Sequence, residues 1–211
     1  MVTKRTRGHE LLVFCARLHI YPNILHAKIR TERGGWHMMH IGFMVIILII
    51  TWWKADWRNW GMYHPTLLYV ASSDLLYNYL CTKHLLWAYK PDVILTHNSV
   101  DLVYTFIILP AISLLFLTNY PNGFRNSRHI RYITVWVLAS LAVEKIIIMA
   151  GYLQFNNGWK FWMEIPFYYT MYSLIRLHQT RPLLTYALSI LIIIFLINTF
   201  DVPFTTPIEK R

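Results

Sequence analysis

Apolar blocks of about 18 residues recur along this chain with only short connections between them. At 1.5 Å per helical residue, that length crosses a hydrocarbon core ~30 Å thick. Length alone would allow one or two soluble domains. The chain is 56% hydrophobic and only 14% charged, which leaves too little polar sequence for a separate soluble domain. The reading is an all-α fold, a polytopic transmembrane helical bundle. It predicts six spans, or five plus one interfacial or re-entrant helix, in a single domain over residues 36–200. A basic interfacial segment (1–35) precedes it and a short polar tail (201–211) follows.

The spans are expected near 36–53, 64–87, 100–118, 132–153, 159–178 and 182–200. Trp52, Trp53, Trp57 and Trp60 crowd the end of the first as an aromatic belt would. His64-Pro65 and Arg181-Pro182 place proline at the start of the second and last spans, where its missing N–H costs nothing. Pro110 should kink the third. Asn157-Gly158 predicts a turn after the fourth. Residues 159–178 are aromatic throughout and hold Glu164 and Pro166, so this segment reads as a span or as the interfacial helix.

The net charge of +10 could suggest nucleic acid. Lys and Arg fall mainly in the N-terminal segment and the connections, however, where lipid headgroups and topology account for them. No nucleic-acid-binding signature accompanies them, and none is expected to function here. With six spans and the N-terminus inside, twelve Lys/Arg lie on the cytoplasmic side and seven outside. The orientation depends on the basic N-terminal segment. That segment is not followed by a small-residue cleavage site of a signal peptide. Cys15 and Cys81 form no CxxC pattern and read as small buried hydrophobes.

Ionisable residues within apolar spans are rare and are the default functional candidates. Asp74, Glu144 and Lys145 meet that description, with Asn78 and Ser140 as polar neighbours. Ala71, Asp74, Asn78 and Cys81 share one side of the second helix, a stripe suited to helix contact. Glu144 and Lys145 stand about 100° apart on theirs, so they do not pair well with each other. Lys145 is expected to reach Asp74. Glu144, on a face with Ser140 and Gly151, is then left for a proton, a cation or a hydrogen-bond network. His37, His40, His84 and His97 lie near one boundary and could ligate zinc or haem, but no carboxylate or cysteine stands at ligand spacing. No metal or other cofactor is expected. HExxH, GxSxG, P-loop and GxGxxG motifs are absent, which argues against an enzyme.

Over residues 64–189 the chain resembles an uncharacterised family of small multipass membrane proteins of endospore-forming bacteria. The resemblance is carried by HPTLLY with Asp74-Leu75-Leu76-Tyr77, by Pro110 and Glu144, by NNGW at 156–159, and by LIRLH and RPLL within 174–184. Glu164 departs from it, standing where a small polar residue is expected. The resemblance implies a bacterial cytoplasmic membrane and importance for Glu144, and it supplies no reaction. The leading expectation is a non-enzymatic accessory or structural membrane protein, in contact with the bilayer and with a partner protein or itself. One rival is a small permease or ion or proton pathway using Asp74 and Glu144. The other is a haem-, metal- or quinone-binding protein using the four histidines.

Overall fold

The computed structural model describes residues 39–91, 97–121 and 126–207, and the basic N-terminal segment lies outside them. The protein is mostly helical, with six helices among the described residues. They are α1 (Met39–Lys54), α2 (Trp60–Leu80), α3 (His97–Val103 continuing through Tyr104–Ile108 to Leu109–Thr118), α4 (Asn126–Met149), α5 (Glu164–Thr180) and α6 (Pro182–Thr199). Three are long and apolar enough to cross a membrane: Ser99–Thr118 within α3, α4, and α6.

The first two helices depart from a simple row of upright spans. α1 and the run from Trp57 to Leu80 meet at 90°. At least one of them must therefore tilt by about 45° or more from any common axis, beyond the ~0–40° usual for spanning helices. The corner is built locally. The Asp56 side chain accepts from the Asn59 N–H at 3.3 Å, the Trp57 indole donates to the Thr51 carbonyl at 3.0 Å, and the Asp56 N–H reaches Thr118 of α3 at 3.2 Å.

Helix α5, from the segment hardest to place by sequence, is the hub. It packs on α2, α3, α4 and α6. The main core joins Tyr63, Leu67 and Val70 of α2, Leu114 and Phe116 of α3, Val137 of α4, and Tyr172 and Ile175 of α5. The outward faces are also apolar. On α6, Leu183, Leu191 and Phe195 are 83%, 63% and 64% exposed, and on α4 Ile146 and Met149 are 60% and 77% exposed. Exposed patches of this extent signal a surface meant to be covered.

Just upstream of Pro110, where a kink is expected, the structure holds a π-helical turn. The proline's missing N–H interrupts the helical ladder, and the chain absorbs the break as this turn at Tyr104–Ile108, with Leu109 N–H bonding back five residues to Tyr104. Pro182 opens α6 as predicted. Pro65 does not open α2. The helix starts at Trp60, so Pro65 lies inside it, and the carbonyl it leaves without an i+4 donor is that of Gly61.

The all-helical expectation missed one small element. β1 (Trp87–Tyr89) and β2 (Leu153–Phe155) form an antiparallel ribbon pairing Trp87 with Phe155, Ala88 with Gln154 and Tyr89 with Leu153. The turn at Asn157-Gly158 is present, with φ of 50° and 85°, and closes with Trp159 N–H on the Asn156 carbonyl at 3.0 Å. Gly151 was expected to pack on the face of Glu144. It lies beyond the end of α4, at φ 82°, and a Cβ there would meet nothing within 4 Å. Tyr152 N–H bonds the Ile147 carbonyl across it at 3.0 Å, so its role is the left-handed cap that directs the chain into β2. Gly151→Ala should therefore lower stability by about 1 kcal/mol through backbone strain alone. Gly42→Ala, in helical backbone with open space, should not lower it. Thermal unfolding in detergent distinguishes the two.

Candidate functional site

A half-open cavity of about 260 Å³ is walled by α2, α5, α6 and β1, with Leu109 of α3 and Glu144 of α4 completing it. Its ionisable carboxylates come from three elements: Asp74 on α2, Glu144 on α4 and Glu164 at the start of α5. Around them stand Tyr77, Trp87, Tyr89, Phe167 and Tyr168, with aliphatic side chains such as Ile192 and Ile193 of α6 making the far wall. Among the described residues no Lys, Arg or His lines it.

Each carboxylate is held differently. Asp74 Oδ2 accepts from the Thr105 hydroxyl at 2.5 Å and from the Asn78 amide at 3.3 Å. Thr105 is fully buried in the π-helical turn of α3, so the Pro110 distortion places the donor. Glu164 is 2% exposed, and its Oε1 accepts from the Trp159 indole N–H at 2.5 Å. The Asn157-Gly158 turn and the Trp159 ring, buried against Trp87 and Phe200, set that donor in place. Glu144 is 7% exposed; the Tyr168 hydroxyl donates a hydrogen bond to its carboxyl group, and its Oε2 has no partner among the described residues.

The expected ion pair between Asp74 and Lys145 is not formed. Lys145 is exposed on α4, its ammonium 5.1 Å from the centre of the Phe161 ring. The reason is angular: once Glu144 faces the cavity, its neighbour about 100° further round the helix is carried outward. Asn78 and Ser140 both make polar contacts, but in different places. Asn78 supports Asp74, whereas Ser140 bonds the Tyr172 hydroxyl at 2.7 Å and fastens α4 to α5. Cys81 is buried and lines the cavity.

Of the four histidines, the side chains of His40 and His84 are described. His40 is 1% exposed, with Nε2 3.0 Å from the Lys90 carbonyl and Nδ1 3.2 Å from the Tyr104 hydroxyl. His84 Nε2 lies 3.0 Å from the Phe200 carbonyl. His37 and the side chain of His97 lie outside the described residues. Among the described residues no three His, Cys, Asp or Glu side chains are placed to hold a metal ion.

Sequence reasoning passed over Glu164 as a site residue. The signal was present: a carboxylate in an aromatic, apolar segment has the same cost as Glu144, whatever the segment's status as a span. Thr105 gave no such signal, since only the fold brings it to Asp74. Thr105→Val keeps the shape and removes the donor. It should cost about 1–3 kcal/mol in thermal unfolding, as for leaving a buried polar group without its partner, with Thr105→Ser largely restoring it.

Compared with protein-family models, with curated proteins and with solved structures, the chain matches none.

Proposed function

We propose that this is a multi-pass protein of a bacterial cytoplasmic membrane, its N-terminus on the cytoplasmic side, whose bundle binds and passes a small solute through the acidic cavity. The membrane setting is supported by the three span-length apolar helices and by the exposed apolar faces of α4 and α6. In water such faces would cost about 25 cal/mol per Å² of apolar surface. Trp52, Trp53, Trp57 and Trp60, 72%, 76%, 42% and 46% exposed at the α1–α2 corner, suit a headgroup interface. The right angle at that corner favours a helix lying along the interface there, rather than at 159–178, and fits fewer than six upright spans.

One observation carries the solute-binding reading. Three carboxylates from three helices line a single cavity, and among the described residues one of their oxygens, Glu144 Oε2, has no hydrogen-bond partner. Buried polar groups are normally satisfied, and an unsatisfied one costs about 1–3 kcal/mol, so its retention favours a working site over a purely structural accessory role. At about 30 Å³ per water-sized group, the space suits a small organic molecule of roughly ten non-hydrogen atoms.

Proteoliposomes on a solid-supported membrane test this with a panel of amines, amino acids, sugars and carboxylates. At least one class should give a current. Glu144→Gln should reduce it about tenfold or more. Ile193→Trp, which fills the cavity from the α6 wall, should abolish it. No current from any class would return the accessory role to first place.

A further inference from the structure

The cavity lining also bears on the ligand's charge. Among the described residues its carboxylates have no basic partner in the lining, and His178 stacks on the lining residue Tyr69 at 4.4 Å without itself lining the space. An anionic ligand would therefore meet three acids and, among the described residues, no cation in the lining. A neutral ligand would bring no opposite charge to those acids. An inorganic cation is poorly served as well: hard cations take six or more oxygen ligands, and no three acidic or other ligating side chains converge here among the described residues. The remaining surface is aromatic and aliphatic. Tyr77 stacks on Trp87 at 4.1 Å and Phe167 leans on Trp87 at 5.2 Å, so these rings are fixed before any ligand arrives.

We propose, resting on the solute-binding reading of the cavity, that its ligand is a small organic cation, a hydrophobic amine or quaternary ammonium. Its charge meets Glu144, with Glu164 and Asp74 contributing from the adjoining walls. Its apolar body lies among Tyr77, Trp87, Phe167 and Tyr168. Organic cations suit this composition because they are weakly hydrated, gain from aromatic rings and still require a compensating carboxylate in a dry site.

The test is equilibrium binding to the purified full-length protein in nanodiscs, read by titration calorimetry. Three probes of one shape family are compared: benzyltrimethylammonium, its uncharged carbon isostere neopentylbenzene, and the anion phenylmethanesulfonate. The cation should bind saturably, the isostere at least about tenfold more weakly, and the sulfonate not measurably. Glu144→Gln should weaken the cation about tenfold and leave the isostere unchanged. Glu164→Gln is read in the same way, so a folding failure of one variant leaves the other decisive. Equal binding of cation and isostere, or indifference of the cation to both substitutions, overturns the cation assignment while leaving the cavity a ligand site. Binding of none of the three overturns the assignment as well. The solute-binding reading falls separately, if the solute panel yields no current.

Discussion

Tyr172 is the contact on which the bundle turns. Its ring, 1% exposed, meets Phe116 of α3 at 4.9 Å and Trp136 of α4 at 5.8 Å. Its hydroxyl is tied to Ser140 of α4 at 2.7 Å. One side chain thereby fastens α5 to two neighbours, with apolar area and a satisfied polar tip at the same point. Thr134 and the Tyr169 hydroxyl repeat the α4–α5 fastening at 2.8 Å. With α5 held this way, Glu164 and Tyr168 at its start must face the space where Glu144 of α4 also points.

The interior meets its polar groups with neutral partners. Asp74 is met by a threonine hydroxyl and an asparagine amide, Glu164 by an indole, and His40 by a tyrosine hydroxyl and a backbone carbonyl. Among the described residues no positively charged side chain lines the cavity with these acids. Neutral donors reach Asp74, Glu164 and, through the Tyr168 hydroxyl, Glu144, whose Oε2 has no partner among the described residues.

Backbone irregularities position these donors. The π-helical turn forced by Pro110 brings Thr105 under Asp74. The left-handed cap at Gly151 ends α4 and starts the ribbon, and the Asn157-Gly158 turn returns the chain so that Trp159 reaches Glu164. These breaks all fall where the sequence carries Pro, Gly or Asn-Gly, so their existence was legible. Their purpose was not, because each donor meets an acceptor on a different element, between 5 and 31 residues away along the chain.

The sequence by itself determined the helical character, the apolar blocks, the start at Pro182, the Asn157-Gly158 turn and the inward polar stripe of α2. These depend on local composition and on the 3.6-residue period, which need no neighbour to be defined. It also made Glu144 and Lys145 divergent, since about 100° separates adjacent helical positions. Only the tertiary structure decided which of the two faces inward, that Lys145 goes out to Phe161, and that Glu164 joins Glu144. It likewise turned α1 against α2 by 90° and made residues 164–180 the hub. The physical reason is that a helix's own periodicity names its faces, while the partner on each face is chosen by packing among segments far apart in the chain.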